Sequence, residues 1–289
     1  MTLSRAFFMV VLFSGLSSPG VVDAKEGSEW RLSAQLATRI NPIGLQFKPA
    51  IALRRGLFTS DSVLLDKAYV EMGLVGPMTP VSGFNHVYVE VVPIAPIRLQ
   101  ASAKRLQYFG NLGLLAELED GSTNWSPETR KSFEDDGRGT STRGTDAALL
   151  ANLRLKVGRV LGSFTYDHHW ISVQIPNSSN WYDPFFDLMF AQSDQVSILT
   201  GFVGYIASGD LDSDRFTLFA GKYESFTTER SGVTRQLASA LAVWRPGWMA
   251  EDRLTLGAVL GYYLEDAYLE GQPMGAVFAA VSWDGALAE

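Results

Sequence analysis

The stretch "WRLSAQLATR", residues 30–39, consists of two interleaved sets of residues. One set is mostly apolar and the other is polar or cationic: Trp30, Leu32, Ala34, Leu36 and Thr38 alternate with Arg31, Ser33, Gln35, Ala37 and Arg39. Successive side chains of a β-strand point to opposite faces, so the pattern predicts a strand with one apolar face and one basic face. The class of fold depends on which of these faces points into the molecule.

The same two-residue period continues along most of the chain. It recurs in "GLQFKPAIALRR" (44–55), "DKAYVEMGLV" (66–75), "FNHVYVEVV" (84–92), "IRLQASAK" (97–104), "LLANLRLKV" (149–157), "VLGSFTYDHHW" (160–170), "QVSILTGFVGYIA" (195–207), "DRFTLFAGKY" (214–223), "RQLASALAVW" (235–244), "RLTLGAVLGYYL" (253–264) and "MGAVFAAVSW" (274–283). Capped stretches with a helical period are absent from the sequence. The pattern therefore predicts one all-β domain without a linker.

Composition excludes several classes of protein. The chain has 289 residues, of which 46% are apolar and 19% charged, and its net charge is −7. This balance excludes an acidic disordered chain and a helical membrane bundle, and the negative charge argues against nucleic acid as a partner. Because there is no cysteine and there are only three histidines, we expect neither a disulfide framework nor a metal or cofactor site.

The first 24 residues have the pattern of a cleaved signal peptide. Arg5 precedes the apolar run "AFFMVVLFSGL" (6–16), "SSPG" ends that run, and Val22 and Ala24 are small residues before a cleavage site. The run is too short for a membrane anchor. We therefore predict an exported protein whose mature domain covers residues 25–289, in the periplasm or outer membrane of a Gram-negative cell.

The connections between the predicted strands differ strongly in length. "PIAP" (93–96) and "GRVLG" (158–162) are short turns, whereas residues 119–146 and 174–194 are long and polar. If "LGLLAELE" (112–119) is a separate strand, the count is thirteen; if residues 97–118 form one long strand, it is twelve. Twelve is preferred, because an even number brings both chain ends to the periplasmic side and both long loops to the outside. This choice leaves residues 55–66 as an unusually long periplasmic turn.

These features resemble bacterial outer-membrane β-barrel proteins in general, without a motif specific to one family. Aromatic residues near the segment ends match interfacial girdles: Trp30, Tyr108, Phe109, Trp170, Trp244, Tyr262, Tyr263 and Trp283. The chain departs from the common pattern because "SWDGALAE" continues past Trp283 instead of ending on an aromatic residue. The resemblance implies an antiparallel up-and-down transmembrane β-barrel of about 12 strands, with outer-membrane lipid around it. The alternative is a soluble periplasmic β-sandwich or lipocalin-like binding protein.

In such a barrel the polar faces line the lumen. The predicted lining is Arg31, Arg39, Lys48, Arg54, Lys67, Glu71, Glu90, Arg98, Lys104, Arg154 and Lys156. Nine bases against two acids favour passage of small anionic solutes. Alternatively, the loop carboxylates of Glu119, Asp120, Asp135 and Asp136 fold inward, pair with these bases and close the narrow interior.

The sequence offers little catalytic chemistry. Ser163, Asp167 and His169 share one face of a strand, but without a nucleophile elbow they are better read as a polar lumen network. His168 is predicted to face lipid. His86, Tyr88 and Glu90 are read as a hydrogen-bonded lumen lining, and "EDDGRG" (134–139) and "ASGDLDSD" (207–214) lack the spacing of calcium loops.

The sequence therefore favours a non-enzymatic, porin-like barrel with a basic lumen. It is either a narrow passive channel or a structural barrel that displays its long loops. A lipid-acting outer-membrane hydrolase that uses His168 or His169 is the alternative from another class.

Overall fold

The computed structural model describes residues 28–40, 44–62, 64–111, 115, 127–176, 178–211, 215–247 and 254–286. The predicted signal peptide, residues 1–24, lies outside this part of the chain. The strands are β1 (Ser28–Ile40), β2 (Gly44–Gly56), β3 (Tyr69–Val75), β4 (Ser82–Ile94), β5 (Ile97–Tyr108), β6 (Thr142–Val157), β7 (Val160–Val173), β8 (Asn180–Asp183), β9 (Leu188–Ala191), β10 (Ser193–Gly209), β11 (Arg215–Thr228), β12 (Thr234–Pro246), β13 (Thr255–Glu265) and β14 (Pro273–Ala286). The helix is α1 (Pro127–Asp135), and no helix among the described residues is long and apolar enough to span a membrane.

Twelve of these strands close into one antiparallel barrel, as the sequence predicts. Neighbours in the ring are also neighbours along the chain, except that β7 pairs directly with β10 and β1 pairs with β14 to close the ring. Closure pairs the backbone groups of every barrel strand on both sides, so the sheet has no free edge. Strands β8 and β9 form a separate hairpin.

The apolar face of the opening stretch points outward. Leu32, Leu36 and Ile40 are 37%, 49% and 67% exposed, whereas Arg39 is buried at 3%. Large apolar side chains are exposed all around the ring, among them Leu53, Met72, Val89, Leu99, Leu153, Phe164, Val203, Phe219, Leu260 and Val277. A barrel with an apolar outer surface and inward-pointing charges has the arrangement of transmembrane barrels and the reverse of a water-soluble one.

The connections gather at two ends of the barrel. One end carries the short turns at 95–96 and 158–159 together with the connection at 57–68. The bounds of this connection are close to those of the long turn predicted at residues 55–66. The other end carries the connections at 109–141 and 174–192, and we call it the long-loop end.

Two strand boundaries differ from the sequence prediction at the long-loop end. Strand β5 ends at Tyr108 instead of continuing to residue 118, because the chain turns at Gly110, whose φ of 70° favours glycine. A Cβ on Gly110 would lie 2.6 Å from the backbone at Thr140 and Ser141, so only glycine lets these segments approach. Strand β6 begins at Thr142, inside the predicted loop 119–146.

The predicted loop 119–146 also contains a helix that the strand period did not reveal. Helix α1 places Phe133 in a small buried cluster with Val81, Tyr182 and Met189. In the predicted strand 112–119 only Leu115 is described; it is a buried turn residue with a φ of 58°. The remainder of that segment lies outside the described residues.

The second long loop does not remain outside the barrel, contrary to the sequence prediction. Residues 181–190, "WYDPFFDLMF", are all buried, and they contact inward-facing side chains of β1, β4, β5, β7 and β12. We call residues 180–191 the lumen hairpin. The physical reason is its composition: an exposed run with this many aromatic and aliphatic side chains would leave a large apolar surface in water.

The barrel interior has two chemically different halves. The walls from β1 to β7 carry most of the inward charges. The walls from β10 to β14 are mainly apolar inside and form a core cluster of Ile206, Phe216, Leu218, Leu237, Leu241, Val243, Val259, Tyr263, Met274, Ala276 and Phe278 with Leu269. The lumen hairpin lies between these halves at the long-loop end.

Candidate functional site in the lumen

Ion pairs at the tip of the lumen hairpin join β1 to β12, which is the third strand from β1 around the ring. The carboxylate of Asp187 lies 3.3 Å from Arg39 Nη2 on β1 and 3.6 Å from Arg235 Nη1 on β12, and the Tyr182 hydroxyl donates a hydrogen bond to it. Arg235 also donates to the Phe186 carbonyl oxygen at 2.7 Å. All three charged side chains are about 4% exposed or less, so this contact is fully enclosed.

A second aspartate fixes the turn between β8 and β9. Asp183 accepts backbone hydrogen bonds from Phe185 and Phe186 and one from the Tyr108 hydroxyl, at 2.5, 3.2 and 2.9 Å. Burial disfavours the charged carboxylate and raises the pKa of Asp183 to about 6, while these donors act in the opposite direction. The side chain therefore links the hairpin to β5 and titrates close to neutral pH.

Aromatic contacts pack the hairpin against the walls. Phe185 lies edge-on to Phe84 with ring centroids 5.2 Å apart, and Trp181 lies edge-on to Tyr108 at 5.4 Å. Phe186 packs against the His169 ring at 5.1 Å. Trp181, Phe186 and Phe190 are each at most 3% exposed. Burial of a large apolar side chain is worth about 1.5–3 kcal/mol, so these contacts favour the inserted hairpin.

Further from the long-loop end, the predicted charges form compensated groups. Glu71 accepts from Arg54 Nε and from the Tyr88 hydroxyl, both at 2.8 Å, and lies 3.5 Å from Arg31. Arg54 also lies 3.7 Å above the Tyr69 ring.

Glu90 forms the neighbouring group. It accepts from the Tyr69 hydroxyl and from Arg98 Nε, both at 2.6 Å. The two predicted acids are therefore each paired with predicted bases.

Two inward acids on β6 and β7 neutralise further bases. Asp146 lies 2.6 Å from Lys104 Nζ and 3.0 Å from His169 Nδ1, and the Asp167 carboxylate lies 3.1 Å from His169 Nε2. Ser163 instead accepts a hydrogen bond from Asn152 at 2.8 Å, so the structure does not bring serine, histidine and aspartate into one catalytic chain.

The remaining predicted lining residues lie in different surroundings. Arg154 points inward and is partly buried, while Lys156 pairs with Asp210 at the rim, 2.7 Å away. Strand β3 begins at Tyr69, so Lys67 lies in the 57–68 connection with its side chain exposed. Of the loop acids considered from the sequence, Asp135 and Asp136 are exposed, and Glu119 and Asp120 lie outside the described residues.

One part of the lining contains a base without a carboxylate partner. Lys48 points inward and has no carboxylate partner among the described residues. Nearby on the polar walls, Gln46 Nε2 and His86 Nε2 are buried without hydrogen-bond partners. Within the described part of the chain no cluster of three histidine or acidic side chains could hold a metal.

Three acids that hold the lumen contacts together, Asp146, Asp183 and Asp187, were not among the lining residues predicted from the sequence. Asp146 lies in a segment read as loop, and Asp183 and Asp187 lie in a loop predicted to face outward. The available signal was the aromatic run around these two aspartates, since such a run is unusual for an exposed loop.

Comparison with known proteins does not assign the chain to a family. No family model matches the chain, and no curated protein matches it. Solved structures of similar architecture include OmpT, an outer-membrane protein of Vibrio cholerae (9% identity, TM-score 0.38, 89% of this chain and 98% of that one). They also include the NanC porin (10%, 0.41, 87% and 98%) and the β domain of the Bordetella autotransporter BrkA (9%, 0.44, 90% and 100%). These values are too low to carry a functional argument; what the chain is similar to is a set of bacterial outer-membrane β-barrels.

Proposed function

We propose that the protein is an outer-membrane β-barrel whose lumen is closed by its own hairpin, with a structural or surface-display role. Three features support the location: the apolar outer surface, the closed ring without a strand edge, and the export signal predicted at residues 1–24. In this role the displayed element is helix α1, where Lys131 and Asp135 are exposed, whereas residues 181–190 are buried.

The observation that carries the closed-lumen proposal is the set of hairpin contacts around the ring, with the Asp187 ion pairs at the hairpin tip. A passive channel needs a continuous water path, whereas this hairpin contacts β1 and β12 through Arg39 and Arg235, and β5 and β7 through Tyr108 and His169. These contacts favour a closed barrel over a constitutively open channel.

Passage of small anionic solutes then requires the hairpin to leave. Lys48, which has no carboxylate partner among the described residues, would then lie on the exposed wall, so we expect an unplugged barrel to prefer anions.

Planar-bilayer conductance tests this proposal. Residues 180–191 are replaced by a short Gly-Ser linker, which should leave the ring intact because β7 and β10 pair directly. We expect no steady conductance from the wild type and anion-selective steps from the hairpin deletion. The matched control is Lys131→Ala, which changes an exposed side chain of helix α1 and should give no more conductance than the wild type. Equal conductance of wild type and deletion would refute closure, and cation preference would refute the basic lumen.

The proposed location is tested by fractionation. A heat-modifiable band in the membrane fraction supports it, whereas recovery in the soluble periplasmic extract supports the binding-protein alternative. The lipid-acting hydrolase is favoured by a separate observation on the outer face of β7 and β10.

A further inference from the structure

Four polar side chains meet on the outer face of the barrel, near the long-loop end. Tyr166 and His168 lie on β7, and Gln195 and Ser197 lie on the neighbouring β10. The strand register places Ser197 directly opposite His168. All four belong to the outward rows, so they are separate from the lumen and from the lumen hairpin.

The contacts within this group orient the imidazole. His168 Nδ1 lies 3.0 Å from Ser197 Oγ, and His168 Nε2 lies 3.1 Å from Gln195 Oε1. If Nε2 carries the proton, it donates to the Gln195 carbonyl oxygen, and Nδ1 is an acceptor that Ser197 Oγ shares with the Tyr166 hydroxyl, 3.3 Å away. A serine, a histidine base and a third group that orients the base are the parts of nucleophilic acyl transfer.

Aromatic neighbours hold the base in place and supply a donor. The His168 ring lies edge-on to Trp170 at 4.5 Å and stacks on Tyr166 at 6.2 Å. The Tyr166 hydroxyl lies 3.2 Å from Ser197 Oγ, where it can donate to an oxyanion that forms on a carbonyl attacked by that serine.

The group lies at the boundary of the apolar outer surface that is nearest the long-loop end. The next outward residues toward the barrel middle include Leu199 and Phe164, which are exposed and apolar, whereas Ser193 and Ser172 lie on the other side. Tyr166 and Trp170 are 41% and 42% exposed, as expected for interfacial aromatics. The ester bonds of membrane lipids lie at this same boundary, between the hydrocarbon chains and the polar headgroups.

The outward row of β10 is apolar from the site toward the middle of the barrel. Leu199, which is 41% exposed, Gly201 and Val203 follow Ser197 on this row, and a Cβ on Gly201 would meet no atom within 4 Å. Val203 lies about 20 Å from Ser197, at 3.3 Å per residue. There a separate apolar groove of about 530 Å³ begins, lined among others by Val203, Tyr205, Phe219, Ala240 and Leu260.

We propose that Ser197, His168 and Gln195 form a lipid acyl-ester hydrolase site, with the acyl chain lying along the apolar outward row of β10. This activity goes beyond the closed-barrel role and does not depend on the lumen. The substrate chemistry is a long-chain carboxylic ester, which a glycerophospholipid or an acylated glucosamine lipid of the outer leaflet supplies. Ser197 and His168 are the catalytic residues, and Gln195 is a positioning residue that acts through His168.

The reaction balances without a further reactant except water. Ser197 Oγ attacks the ester carbonyl carbon and its proton passes to His168 Nδ1; the bond to the alcohol then breaks as this proton moves to the leaving oxygen. Water attacks the acyl-Ser197 ester, gives its proton to Nδ1, and the acid leaves as the proton returns to Ser197. The net change is ester plus water to fatty acid plus alcohol.

The decisive experiment measures fatty-acid release by the full-length protein in mixed micelles. One arm contains phosphatidylethanolamine and the other a hexa-acylated glucosamine lipid. We expect release in one arm and labelling of Ser197 by a fluorophosphonate probe. Ser197→Ala and His168→Ala should each reduce the rate by roughly 10³-fold or more. The matched control Ser193→Ala, on the same outward row and bonded to Ser172 at 3.3 Å, should stay within about twofold of wild type.

The arm that shows release identifies the lipid source. Absence of release and of labelling in both arms overturns the proposal, as does wild-type activity in Ser197→Ala. Heat-modifiable migration verifies that each variant is folded.

Two further variants separate positioning from structural roles. Gln195→Glu keeps the acceptor and stabilises the imidazolium, so it should retain activity and move the acidic limb of the pH–rate profile to higher pH; Gln195→Leu should lower kcat without that movement. Gly201→Leu should place a bulky side chain on the outward row that holds the acyl chain, lowering activity on long-chain esters at least tenfold while leaving a butyrate ester unaffected. Equal effects on both esters would overturn the role of this row.

Discussion

Asp187 is the side chain whose removal should open the barrel. It is enclosed between Arg39 and Arg235, which are themselves 3% exposed, so Asp187→Ala leaves two cations buried without their carboxylate. Breaking a buried pair in this way costs about 3–5 kcal/mol. Since about 1.4 kcal/mol corresponds to a tenfold change in an equilibrium, the population with the hairpin displaced should rise by roughly 150- to 4,000-fold.

Single-protein recordings in a planar bilayer measure this change as the fraction of time spent in an open level. A second readout is limited proteolysis, which should cut within residues 180–191 only when the hairpin leaves the lumen. Lys156→Ala is the matched control, because its pair with Asp210 is exposed at 39% and 54% and is worth at most about 1 kcal/mol.

Replacing the whole buried triad separates charge from packing. Arg39→Met, Asp187→Leu and Arg235→Met together remove all three charges of the triad, so closure should return toward the wild-type level. The reasoning is refuted if Asp187→Ala and Lys156→Ala give the same open fraction, or if the apolar triad opens as much as Asp187→Ala.

Three further outcomes follow from the structure. Because burial raises the pKa of Asp183 to about 6 from 3.8, the inserted hairpin binds a proton more readily than the released one. Closure should therefore strengthen by about 1.4 kcal/mol as pH falls from 7.5 to 5, and Asp183→Asn should abolish this dependence in the proteolysis assay. A Cβ on Gly257 would lie 2.1 Å from the Phe278 ring, so Gly257→Ala should lower the unfolding free energy by about 1–3 kcal/mol in urea titration. Gly221→Ala, where the same atom meets open space, is the control, and equal losses would contradict this. Glu71→Ala should destabilise by about 3–5 kcal/mol in the same titration, and a loss under 1 kcal/mol would mean that water screens its buried pairs.

Local periodicity was sufficient to predict the barrel wall. The alternation in residues 30–39 repeats in each barrel strand, and the outward exposure of Leu36 and Ile40 answers which face meets lipid. Parity gave the strand number, because both ends of an up-and-down barrel lie on one side. These features are set by neighbouring residues and by the membrane, so they are visible in the sequence.

The contents of the lumen depend on contacts that local patterns do not encode. Asp187 meets Arg39 across 148 positions of sequence, and nothing in either segment specifies the other. The outer-face site illustrates the same limit: His168 was recognised as lipid-facing, but its partner Ser197 is 29 positions away and is defined only by the β7–β10 register. The sequence therefore identified single side chains of both sites without their partners.

The pairing of β1 with β14 has a consequence for biogenesis. The seam joins Ile40 to Gly275 and Glu29 to Ala286, residues almost as far apart in the sequence as this domain allows. Contacts of such long range form late, because the entropy of closing the intervening loop opposes them until most of the chain is ordered. Until then the first strand is an open sheet edge that can pair with other chains. The ring should therefore complete only after the last strand has been delivered, and an assembly factor that shields β1 during this interval should suppress aggregation.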